Sequence, residues 1–172
     1  MVAKKSVKMD AATRLANTRR SLVKRTLEAY AERGVFKGFG AEESKGEICC
    51  RVVWHFFRQF EFHFNPDRDL IRIPVLLPNA DAALLTDLKA FIDSRYSVSL
   101  PPHRRVDRER VLIKAARRAG IISLSAEILD GDDVYATKQL VYVVQEIFLN
   151  FLTSGMYYDY LVENFDLDPD RI

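Results

Sequence analysis

Glu47-Ile48-Cys49-Cys50-Arg51-Val52-Val53-Trp54-His55-Phe56-Phe57 decides the fold, because the run supports two periods at once. Taken as a helix, Ile48, Cys49, Val52, Val53, Phe56, Phe57 and Phe60 make one apolar stripe. Taken with period two, Ile48, Cys50, Val52, Trp54 and Phe56 make an equally good strand face. Two observations favour the strand. The run is rich in β-branched and aromatic residues. It also leads straight into Phe60, Phe62 and Phe64, which alternate with Glu61, His63 and Asn65. The two segments then pair as neighbours in a meander.

Working outward, Asn65-Pro66-Asp67-Arg68-Asp69 has turn composition. Leu70 to Leu76 reads as a third strand with Ile71, Ile73 and Val75 on one face, and Pro74 marks an edge position or a bulge. Asn79 or Asp81 can cap a helix that runs to about Arg95. Two more strands follow, about 110–117 and 121–129, with Gly120 supplying the positive φ of a short hairpin. Upstream, Ala11 to Arg33 reads as a helix, with Leu15, Leu22, Val23, Leu27 and Tyr30 on one face and Arg19, Arg20, Lys24 and Arg25 on much of the rest. Gly34 stops it. Residues 36–45, with Gly38 and Gly40, read as a loop. Downstream, Val134 to Thr153 is a strongly apolar helix and Met156 to Phe165 a last amphipathic one.

The expected order is therefore α-βββ-α-ββ-αα. It predicts an α+β fold of two layers, a five-stranded antiparallel sheet with helices mainly on one face. Residues 1–10 form a flexible basic tail and 11–172 a single domain. At 172 residues, with a net charge of +2, the chain suits one core and calls for no polyanionic partner on global electrostatics. Charge is uneven, however: the first 25 residues are basic, whereas Asp159, Glu163, Asp166, Asp168 and Asp170 make an acidic end. The cysteines, Cys49 and Cys50, are adjacent and exclude a disulfide framework. No apolar leader follows Lys4 and Lys5. The longest apolar stretch, Leu140 to Leu152, is too short for a bilayer and contains Gln145, Glu146 and Asn150. A cytoplasmic protein without membrane contact is expected.

The order of elements resembles the fold shared by type III secretion chaperones and YbjN-like bacterial proteins. The local texture is similar too, from Ser123 through the acidic turn at Asp130–Asp133, the helix at Leu140–Leu152, and Tyr157-Tyr158-Asp159-Tyr160-Leu161. This chain adds a second terminal helix and a basic amino-terminal segment. The resemblance implies a non-enzymatic binding module, chaperone-like or adaptor, acting as a homodimer or on a protein client, and no catalytic residue or cofactor.

Reactive constellations are sparse. If 47–64 is a hairpin, His55 and His63 face each other, but two imidazoles fall short of a closed zinc site unless Cys49 joins them. They read instead as strand histidines on the face opposite the phenylalanines, and no metal is assigned. Asp166, Asp168 and Asp170 share a calcium-loop spacing without its glycine or distant glutamate. Gly38-Phe39-Gly40 precedes a strand and so lacks the helix dipole of a phosphate loop. Two features remain. Helix 134–153 has apolar residues on two faces, and Phe148, Leu152, Tyr157 and Tyr160 are the expected protein contacts unless the last helix folds back over them. Arg104, Arg105, Arg108 and Arg110 form a basic run that suits an anionic ligand or nucleic acid, although Asp107 and Glu109 interrupt it.

Overall fold

The computed structural model describes residues 10–167. Among them, α1 (Ala11–Glu32) precedes β1 (Gly38–Ser44), β2 (Glu47–Val53), β3 (Gln59–Asn65) and β4 (Leu70–Leu77). Then come α2 (Ala82–Ser94), β5 (Val111–Arg118), β6 (Ile121–Ile128), α3 (Asp133–Glu146) and α4 (Tyr158–Asn164). The strands form one antiparallel sheet in the order β1-β2-β3-β4-β6-β5. The expected α+β class and antiparallel sheet are both present, and the ambiguous run at 47–57 is a strand followed by a turn.

The described sheet has six strands rather than five. The extra one is Gly38–Ser44, read from sequence as part of a loop. Its glycines and glutamates give it little strand propensity. It extends because β2 would otherwise be an edge, and because Lys45 and Gly46 both take positive φ (52° and 78°) in a two-residue hairpin. That turn matches the twist of the strands it joins. The Lys-Gly pair was the local signal for the missed strand.

Pro74 lies past Arg72, where the β3–β4 ladder ends, and within a bulge against β6. The register slips between Ile73 and Leu77. In consequence Leu76 and Leu77 are buried and Val75 is 52% exposed, reversing its expected side.

Helices cover one face of the sheet. α1 packs on β1, β2 and β3, α2 on β5, and α3 on β6 and α1. Strict alternation puts Ile48, Cys50, Val52, Phe60, Phe62, Phe64, Ile71, Ile122, Leu124 and Ala126 beneath them, all buried. Asp10 belongs to α1 rather than to the tail: its carboxylate accepts the Thr13 N–H at 2.7 Å as the amino-terminal cap. Asp81 caps α2 in the same way through Leu84.

Arg19 and Arg20 are not a solvated face. The Arg19 guanidinium makes paired bonds of 2.9 and 2.8 Å to the buried Asp133 carboxylate, donates to the Pro66 carbonyl at 2.9 Å, and meets Asp69 at 2.8 Å. One side chain thus ties α1 to the start of α3 and to the β3–β4 turn. Asp133 holds Arg19 charged, raising its pKa against the cost of burial. Arg20 donates to the Gly46 carbonyl at 2.9 Å, closing α1 onto the β1–β2 turn.

Candidate functional site

The other sheet face carries no helix among the described residues. Alternation fills it with polar side chains: Glu42 on β1, Cys49 and Arg51 on β2, Glu61 and His63 on β3, Arg72 on β4, Ser125 and Glu127 on β6, and Lys114 on β5. The densest chemistry lies over β2 and β3. Cys49 is directly opposite His63, and Arg51 opposite Glu61. Trp54 donates to the Arg58 carbonyl at 2.9 Å, which makes 54 and 58 a hydrogen-bonded pair. By period two, 49–63 and 51–61 are then non-hydrogen-bonded pairs, whose side chains approach most closely.

That proximity builds a compact network. Cys49 Sγ lies 3.6 Å from His63 Nε2. The same nitrogen is 3.0 Å from Glu61 Oε2, and His63 Nδ1 is 2.8 Å from Glu47 Oε1. Arg51 donates from Nε to Glu61 Oε1 and from a terminal nitrogen to Glu42, both at 3.1 Å. His63 and Arg51 both hold Glu61 below the usual carboxylate range. Partial burial, with the negative charge of Glu61 behind it, raises the Cys49 thiol. Small clefts of about 230 and 200 Å³ open beside the cluster, lined by Glu42, Cys49 and Arg51 on one side and by Asn65, Arg68 and Arg72 on the other.

His63 therefore sits on the face opposite the phenylalanines, and Cys49 does meet it. His55 does not. It lies in the β2–β3 turn, stacked on Phe148 with ring centroids 4.4 Å apart. Its Nε2 is buried without a hydrogen-bond partner, and burial pushes its pKa down from 6.5 to about 4. Glu61, placed by alternation alone and not read as a ligand, takes the place expected for the second imidazole. A register-based pairing of β2 with β3 was the signal that would have found it.

Phe148 and Leu152, expected as protein contacts, are 1% and 0% exposed. The helix passes into a π turn at Ile147–Phe151, and residues of both its apolar faces are buried. Phe148 packs edge-on against Phe60 and Phe165 and stacks on His55. The last helix does fold back. Tyr157 donates to Asp87 on α2 and Tyr160 to the Pro78 carbonyl. Burial, seconded by Asp87, pushes the Tyr157 phenol to about 12, and burial raises that of Tyr160. These two tyrosines are struts between α4 and the rest of the domain, and Phe148 and Leu152 are core.

The arginine run is largely satisfied from within. Arg110 bonds Asp130 at 2.6 Å and Asp132 at 2.7 Å, lying over Tyr135. Arg108 lies over Tyr96, with Asp93 at 3.8 Å. Arg104 is 3.7 Å from Glu146, which also pairs with Arg95. Arg105 lines a cleft of about 550 Å³ together with Tyr96, Arg108, Arg110 and Tyr135. The acidic end of the chain does not supply these partners among the described residues. Asp166 pairs instead with Arg58 at 2.6 Å, and Asp168 and Asp170 lie outside the described residues, as do residues 1–9 of the basic tail.

The two ends of the sheet differ. At β5, α2 packs alongside and Tyr96 Oη accepts the Ile113 N–H at 2.7 Å. At β1, the two-residue hairpin makes Ser44–Glu47 a hydrogen-bonded pair. Phe39, Ala41 and Glu43 then direct their backbone groups away from β2, where no described element meets them.

No family model, curated protein or solved structure matches this chain in the comparisons with known proteins. Among the described residues, no helix is long and apolar enough to cross a membrane.

Proposed function

We propose that this protein is a non-enzymatic protein-binding module, chaperone-like or adaptor, that takes an extended partner segment onto β1. The observation that carries this reading is the contrast between the sheet's ends. The Tyr96 hydroxyl and α2 guard β5, whereas β1 is exposed along Ala41–Ser44 and offers backbone donors and acceptors outward. Strand addition obtains affinity from those main-chain groups and selectivity from side chains on alternate positions. Glu42 and Glu43 favour a partner with basic side chains and disfavour indiscriminate edge pairing.

The order of elements supports the likeness to type III secretion chaperones and YbjN-like proteins, with β1 as an addition. Under that likeness the partner is a protein client or a second copy of the chain. The apolar helical surface contributes nothing to this reading, since Phe148 and Leu152 are core. The rival is an anion or nucleic-acid regulator using Arg104, Arg105, Arg108 and Arg110, and the cleft at Arg105 is what favours it.

Ala41→Pro separates the two. Proline removes an outward N–H while leaving the β1–β2 ladder its inward bonds. Partners retained from native cytoplasm through a high-salt wash, and lost on Ala41→Pro with the melting temperature unchanged, support strand addition. Partners that survive the substitution overturn it. RNA eluted by salt supports the rival, because phosphate contacts weaken steeply with ionic strength. Sizing chromatography tests the second copy: a dimer that Ala41→Pro splits supports self-pairing, and a monomeric wild type removes it.

A further inference from the structure

The geometry points to a divalent metal site on the open sheet face, in which Cys49 Sγ, Glu61 and His63 Nε2 hold one zinc-class ion. The three ligand atoms lie within 4.8 Å of one another. A tetrahedral zinc ion with bonds of about 2.0–2.3 Å sets its ligand atoms about 3.3–3.6 Å apart. Here sulfur and nitrogen are 3.6 Å apart, and nitrogen and the nearer carboxylate oxygen 3.0 Å. The third pair, sulfur and carboxylate oxygen, lies within 4.8 Å, so coordination needs side-chain adjustments of up to about an ångström.

The tautomer points the same way. The Glu47 carboxylate only accepts, so His63 Nδ1 is the donor in their 2.8 Å contact. The ring therefore turns Nε2, its metal-ligating nitrogen, toward the Glu61 carboxylate at 3.0 Å. Cys49 lies 3.6 Å from the same nitrogen, and its thiolate is a strong ligand to a zinc-class ion.

An outer shell is in place as well. Glu47 fixes the ring of His63, and Arg51 fixes Glu61 through its other oxygen at 3.1 Å. Such partners orient ligands and raise affinity. Three protein ligands on a solvent-facing sheet leave the fourth position to water. The ligands stand on β2 and β3, one strand from β1, and the site is independent of whether β1 takes a partner.

Co²⁺ and Zn²⁺ titrated into the full chain after chelator treatment provide the test. Co²⁺ is expected to give a near-ultraviolet thiolate charge-transfer band that saturates at about one equivalent and is displaced by Zn²⁺. Zn²⁺ is expected to protect Cys49 from alkylation in the wild type, a readout that needs no variant. Cys49→Ser should abolish the band, and Glu47→Gln should weaken Zn²⁺ binding roughly ten- to a hundred-fold. Both positions are on the solvent side of the sheet, and circular dichroism checks that the variants fold. No saturable uptake overturns the proposal, as does uptake that Cys49→Ser and His63→Gln leave unchanged. So do His63 ring resonances that added Zn²⁺ does not shift.

Discussion

On β2 and β3 the covered face carries Ile48, Cys50, Val52, Phe60, Phe62 and Phe64, each at most 3% exposed, while the open face carries Cys49, Arg51, Glu61 and His63 on the intervening positions. The same backbone presents both. On the covered side every side chain is held by volume, so shape is constrained and chemistry is excluded. On the open side packing asks for little, so charged and nucleophilic groups can gather at cross-strand distance. Even the adjacent cysteines divide this way. Burial pushes Cys50 to about 12, whereas Cys49 shares a network with His63, Glu61 and Arg51.

Substitution should expose the contrast most strongly at Phe62. Phe62→Ala removes a fully buried ring and should cost about 3–5 kcal/mol in urea or thermal unfolding. A loss below 1 kcal/mol, on the order of a surface change, would mean the covered face is not close-packed.

Next comes His55, where the covered side reaches the turn. The unfolded chain takes up this proton near pH 6.5, and the folded chain only near pH 4. Stability from this group is therefore complete above about pH 7 and falls as pH drops from 6.5 to 4, by on the order of 3 kcal/mol over the whole interval. His55→Phe should flatten that part of the stability-against-pH curve. Parallel curves for wild type and variant would show that burial of the neutral ring is not the cause.

A smaller effect of opposite sign belongs to the same turn. Phe57 holds φ at 57° and is 81% exposed, so it carries left-handed strain without compensating burial. Phe57→Gly should stabilise the fold by about 1 kcal/mol. A lower denaturation midpoint would show that the contacts of the ring outweigh the backbone strain. The smallest effect is expected on the open face itself. Lys114 is 62% exposed and 3.3 Å from Glu127, and Lys114→Ala should shift stability by less than about 0.5 kcal/mol.

Much of this architecture was legible in residue order. Alternation at Phe60–Phe64 and at Ile122–Ile128 marks buried faces, and Asp81 and Gly120 mark a cap and a turn. β1 was not legible, since an edge strand of glycines and glutamates is extended by its neighbour rather than by its own propensity. Nor was the fate of Phe148 and Leu152. An apolar surplus looks the same whether a partner or the chain's own last helix covers it. Tyr157 and Tyr160 fit either outcome too, and only their bonds to Asp87 and the Pro78 carbonyl identify them as struts.

Local period alone determined which residues of this protein face inward, because side-chain direction follows from backbone geometry one residue at a time. The tertiary structure decided which groups meet across strands. Cys49 and His63 are 14 positions apart, and Arg19 and Asp133 are 114 apart. Such pairs depend on register and helix docking, and those are set by the packing of the whole chain.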